Sequence, residues 1–291
     1  MMRKILYVAV LMLAVVSASA QTSTYEQRYD LLVSKFGPAG VGVETVLNNW
    51  AKADSTNMKM LAARFQYYYT KAQRSEVVKK PTKKYLGMEP LISLKDTTGA
   101  DVYYYQETFY DDELYGSALK AADKLVSLYP DHLDYRFLKA NAYISYEKES
   151  PDMALASLLA LAEEDSQRKK AWMYEGEQAD KDFFQEAMQE YCYSFYSIGS
   201  TESMQAFLKL SQKMNALYPD SPVYVNNIGS YYMIAEKDYK TALKYYSKVL
   251  KKFPDDYTAI KNGALAAKLS GNQKLEKKYL QALANLKSKE N

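Results

Sequence analysis

The chain has 291 residues, enough for one large core or one elongated array, and a formal net charge of +3 with basic and acidic residues interspersed. That balance argues against a nucleic-acid or anionic-membrane partner. A single histidine and a single cysteine leave no basis for a metal site built on those ligands. The lone Cys192 forms no internal disulfide, so stability rests on packing.

In residues 1–20, Arg3 and Lys4 precede an apolar run from Ile5 to Val16, which Ala18-Ser19-Ala20 ends with small residues. This is the pattern of a secretory signal peptide cut before Gln21. The run is shorter than a membrane span requires, and no cysteine follows the cut to carry a lipid. Removing the segment takes away two positive charges, so the mature charge is 3 − 2 = +1. The expectation is an exported chain without stable membrane insertion, in the periplasm of a Gram-negative bacterium first and outside the cell second.

Residues 21–78 read as an N-terminal helical region. A short helix over 24–36 is broken by Gly37-Pro38-Ala39-Gly40-Val41-Gly42. No Gly-Lys-Ser/Thr follows and no strand precedes, so this is a loop before a helix and not a phosphate cradle. A helix pair over 43–53 and 57–77 carries Trp50 and the run Tyr67-Tyr68-Tyr69. Residues 79–110 are irregular, with Pro81, Gly87 and Pro90 opposing helix. Residues 91–95 and 102–106 favour strand, with Asp96-Thr97-Thr98-Gly99 as turn chemistry between them. A small β-hairpin inserted in a helical array is expected, either capping a repeat edge, the favoured reading, or binding a ligand.

From 111 to 291 the apolar spacing predicts helices over 111–129, 133–148, 151–165, 180–198, 201–218, 221–236, 238–253, 256–270 and 272–288. Residues 167–180 are a polar excursion carrying Trp172 and Tyr174. In the best-defined unit, 222–256, Val225, Ile228, Tyr232 and Ala235 form one apolar stripe. Ala242, Leu243, Tyr246, Val249 and Leu250 form the next, and Pro254 ends the second helix. Gly229 inside the first helix marks close approach by another helix.

This unit resembles the tetratricopeptide repeat, a helix–turn–helix motif stacked in arrays. Ile228-Gly229 and Tyr232 match its first helix, and Ala242, Tyr246 and Pro254 its second. Val225 stands in place of the usual tryptophan, and the turn is one residue longer. Tyr129-Pro130-Asp131, Tyr218-Pro219-Asp220 and Phe253-Pro254-Asp255 repeat one helix end. Ala118 and Ala242 each stand twelve residues before their proline, whereas Phe207 occupies that place in the middle unit. The resemblance implies an all-α solenoid with the inserted hairpin, and a non-enzymatic scaffold that holds a protein or peptide partner in a groove lined by first helices. By position that lining comprises Asn226, Asn227, Ser230, Met233, Lys261, Asn262 and Leu265. No cofactor is implied, and the residue set of the family's chaperone-tail clamp is not found.

Little else points to chemistry. His132 follows a Tyr-Pro-Asp corner and reads as a corner residue. Cys192, within an aromatic helical stretch, reads as a buried small hydrophobe. Glu175, Glu177, Asp180 and Asp182 cluster without calcium-loop spacing, and the lysines near the end (Lys274, Lys277, Lys278, Lys287, Lys289) read as a solvated helix face. The 29 tyrosines are unusual. Tyr232 and Tyr246 are assigned to repeat interfaces, while Tyr104, Tyr193 and Tyr231 are left open between core and surface. An exposed tyrosine suits a peptide or a sugar, so carbohydrate or cell-wall binding is the alternative function.

Overall fold

The computed structural model describes residues 24–290, and the signal-peptide reading falls outside them. The described residues form twelve helices and two small sheets: α1 (24–36), α2 (Val43–Ala53), α3 (Met58–Ala72), β1 (Gln73–Lys80), β2 (Ile92–Lys95), β3 (Asp101–Tyr110), α4 (Asp112–Leu128), α5 (Leu133–Glu147), α6 (Asp152–Gln167), β4 (Trp172–Tyr174), β5 (Glu177–Ala179), α7 (Lys181–Ile198), α8 (Thr201–Leu217), α9 (Pro222–Ile234), α10 (Tyr239–Lys252), α11 (Tyr257–Leu269) and α12 (Gln273–Glu290). No helix among them is long and apolar enough to cross a membrane.

The chain packs as two compact units. The first comprises residues 24–78, Gln106–Lys139 and Met173–Gly176. Its core holds Val43, Leu47 and Trp50 of α2, Met60, Leu61 and Tyr67 of α3, and Leu125 of α4. The tyrosine run on α3 splits by direction, as the helical turn of about 100° per residue requires. Tyr67 and Tyr68 both donate to Glu44, at 2.9 and 3.2 Å, while Tyr69 stacks on Phe65 and meets Tyr110. Those hydrogen bonds, Tyr67's first, hold the Glu44 carboxyl below its usual range.

The second unit comprises Lys79–Tyr105, Ala140–Trp172 and residues 177–290. Its main body is three helical hairpins, α7–α8, α9–α10 and α11–α12. The first helices α7, α9 and α11 touch in sequence, and each second helix packs on the first helix that follows. Gly229 shows why the hairpins close so tightly. A Cβ there would lie 2.7 Å from Cε1 of Tyr246, so only glycine admits that ring. The same device recurs one hairpin later, where a Cβ on Gly263 would lie 2.8 Å from Cζ of Tyr279.

The repeated helix ends are one structure in three copies. Tyr129, Tyr218 and Phe253 cap their helices at φ −125, −127 and −127° and ψ 62, 66 and 78°. In each, the amide three residues on donates back to that carbonyl at 3.1 Å: His132 to Tyr129, Ser221 to Tyr218 and Asp256 to Phe253. The proline between stops the helix by removing a donor, and its fixed φ suits the turn that follows. The longer turn of the best-defined hairpin is absorbed at Lys237, whose φ of 52° lets the Asp238 amide reach the Tyr232 carbonyl at 2.9 Å.

Two expectations are corrected. The helix read over 57–77 ends at Ala72. Residues 73–80 leave it as β1, which lies beside β3, so the insertion is a three-stranded sheet in the order β1-β3-β2. Its hairpin portion pairs Ile92 with Tyr104 and Lys95 with Asp101, antiparallel, around a loop held by Asp96. The polar excursion at 167–180 contains a second hairpin, β4–β5, turned by Glu175 and Gly176 at φ 50 and 83°.

Candidate functional site: the first-helix layer

Helix α7 begins at Asp180, whose carboxylate accepts from the Phe183 amide at 2.8 Å, and ends at Gly199 with φ 74°. Phe184, Met188, Tyr191, Cys192 and Phe195 face inward. The opposite edge therefore presents Asp182, Glu186 and Glu190, one per turn, and then Tyr193, which is 60% exposed. Helix α9 lies beside α7. Its Tyr224 is buried and donates to the Gln185 carbonyl at 2.7 Å. Asn227 and Gln189 exchange amide hydrogen bonds, with Asn227 Nδ2 donating to Gln189 Oε1 at 2.7 Å. Above this seam is an open concavity of about 390 Å3, lined by Asp182, Gln185, Glu186, Gln189, Glu190 and Ser221 together with Val223 and Tyr224.

The expected groove residues divide. Asn226, Asn227 and Met233 are buried. Asn226 donates through Nδ2 to Asp256 Oδ1 at 3.0 Å, and Asp256 also accepts from the Ala259 amide at 2.7 Å as the N-cap of α11. Asn226 and Asn227 thus join neighbouring first helices and are enclosed by that packing. Met233 packs in the core with Tyr246 and Val249. Ser230 and Asn262 are half-buried and meet through Asn262 Nδ2 at 3.4 Å. Lys261 and Leu265 are exposed on α11, with the Lys261 ammonium 5.8 Å from the centre of the Tyr257 ring.

The layer therefore changes character along its length, from carboxylates on α7, through Val223 and Ser230 on α9, to Tyr257, Lys261 and Leu265 on α11. The carboxylate row was open to sequence reading, because Asp182, Glu186 and Glu190 keep a spacing of four. Only the fold shows that this edge faces the concavity.

Of the other residues singled out, His132 sits in its corner, Nδ1 3.5 Å from Asp134 and the ring stacked on Tyr135. Cys192 is fully buried, and burial pushes its thiol up to about 12, which removes the thiolate a nucleophile needs. Among the described residues no three His, Cys, Asp or Glu side chains are grouped to hold a metal. Tyr231 and Tyr246 are buried, Tyr232 stacks on Tyr245 at 5.6 Å, and Tyr104 is half-buried.

No family model matches the chain, and no curated protein matches it. Among solved structures the chain is similar to a crystal structure of MamA at 17% identity and a TM-score of 0.36, covering 62% of this chain and 92% of that one. A second crystal structure of MamA protein aligns at 18% identity and a TM-score of 0.35, covering 61% and 85%. Neither likeness assigns a family or a function.

Proposed function

We propose that the chain is a non-enzymatic interaction scaffold that holds an extended segment of a protein partner along the layer formed by α7, α9 and α11. The observation that carries this is the open concavity between α7 and α9, whose rim bears Asp182, Glu186 and Glu190 with no cation paired to them among the described residues. Unpaired carboxylates on a stacked-helix face select Lys and Arg in a ligand and set its direction, with Lys261 placed toward the other end. Export to the periplasm, read from residues 1–20, is part of this proposal, and catalysis is not.

The test is crosslinking of the tagged full chain in its own cells, followed by mass spectrometry, beside a Glu186→Lys, Glu190→Lys variant. Both positions are exposed, so the fold survives the change. A discrete protein captured by the native chain and lost in the variant supports the proposal. Equal capture by both, or none by either, overturns it.

A second reading has one observation in its favour: Tyr193 stands exposed at the end of the acidic row, where a sugar ring would stack. Retention on polysaccharide that Tyr193→Ala abolishes would favour it.

A further inference from the structure

The second-helix side carries a different surface. Helix α10 contains five lysines and no acidic residue. Residues 239–290 hold 12 lysines against 4 carboxylates, leaving 26 basic and 31 acidic residues for the rest of the chain. The near-neutral total thus conceals a strongly basic end. Among the described residues, Lys252 is the one lysine of α10 in an ion pair, with Asp220. Lys240, Lys244, Lys248 and Lys251 are exposed and have no ion-pair partner among the described residues. All four line an open groove of about 630 Å3, completed by Leu243 and Ser247 of α10 and by Ser270 and Asn272 at the turn between α11 and α12.

We infer that this groove is a second binding surface, built for an acidic polypeptide segment in extended conformation. Three observations choose that occupant. Lysines four residues apart on a helix are separated by about 6 Å along the axis. Alternate side chains of an extended strand are separated by about 6.6 Å, so Glu or Asp at every second position meets successive lysines. The surface is a shallow open groove, whose elongated hollow suits a single extended chain. Between the lysines lie an apolar side chain, Leu243, and hydroxyl and amide groups; a peptide's side chains and backbone use both kinds of contact, whereas a bare polyphosphate uses the polar groups alone and leaves Leu243 without a partner. The site is separate from the α7–α9 concavity and does not depend on the function proposed there.

The test is fluorescence anisotropy with the full chain and a labelled eight-residue peptide alternating Glu and Ser. Competitors are linear inorganic polyphosphate of equal charge and phosphatidylglycerol vesicles. Two variants carry the same charge change: Lys244→Glu, Lys248→Glu in the groove, and Lys277→Glu, Lys278→Glu on the exposed side of α12. Saturable binding that weakens about tenfold or more in the groove variant, and about twofold or less in the α12 variant, is expected. Equal loss in both variants would reduce the effect to net charge and overturn the inference. So would polyphosphate or vesicles displacing the peptide at equal charge, or no saturable binding. The Glu186→Lys, Glu190→Lys variant should bind the peptide at least as well as the native chain, and a loss there would also overturn it.

Discussion

Gly229 and Asn226 lie one helical turn apart on α9 and do opposite work. Asn226 is a polar residue taken inside because it has a specific partner, the N-cap carboxylate of α11. Its position on a first helix suggested a groove lining, where an asparagine can pair a peptide backbone. In the fold its amide nitrogen is turned to Asp256. Gly229 was legible as a close approach, and the approaching atom is the Tyr246 ring. Substitution by alanine tests how rigid that contact is. Overpacking costs about 1–3 kcal/mol, while replacing glycine in a helix returns about 1 kcal/mol. The buried ring has no free end to swing away, so Gly229→Ala should lower stability by about 1–2 kcal/mol. Adding Tyr246→Leu should make the alanine neutral or stabilising. Urea unfolding of the four proteins of that cycle gives the coupling, and additive losses would mean that ring and backbone do not press on each other.

Among the elements, the helices of residues 111–290 were legible to within two or three residues at each end, because apolar stripes, prolines and caps are local signals. The strand β1 was not. Gln73–Lys80 continues α3 without a breaker, and its partner β3 lies about thirty residues away, so nothing nearby opposes helix. The β4–β5 hairpin had a local signal, Glu175-Gly176 after Trp172-Met173-Tyr174, which the surrounding polar residues obscured. Helix α8 tests whether the repeat is a pattern or a packing solution. Phe207 stands where the flanking helix ends place Ala118 and Ala242, and all three are buried. Its ring lies edge-on to Tyr196 at 5.5 Å, filling space that alanine leaves empty. Phe207→Ala would make the unit conform to its neighbours, yet it should destabilise the chain by about 3–5 kcal/mol through the cavity it creates. Calorimetry that found the variant equal to or more stable than the native chain would show that the middle hairpin closes as the others do.

Across the whole molecule the abundant tyrosines link folding to alkaline pH. Burial pushes the Tyr246 phenol up to about 12. Burial, helped by the hydrogen bond to Glu236, does the same for Tyr231, and burial followed by Asp134 does so for Tyr135. Burial also raises Tyr224 and Tyr218. In the unfolded chain each phenol ionises near its ordinary value of about 10. The folded state therefore holds protons that the unfolded state has released. The stability tied to these groups is complete below pH ~10 and is lost as pH rises from there through about 12. For Tyr246, which is fully buried, two units amount to about 3 kcal/mol. A few such groups together match the whole stability of an ordinary domain, about 5–15 kcal/mol. Followed together, helicity should stay level up to pH ~10 while phenolate absorbance rises smoothly through the solvent-exposed phenols alone. Above that they should show one cooperative step in which both move at once. Tyr246→Phe should keep the ring that closes against Gly229 and remove one linked proton, making the fall in stability with pH shallower. A single smooth rise near pH ~10 that accounted for all the tyrosines, with helicity intact, would mean that water reaches the buried rings and that burial does not hold their protons.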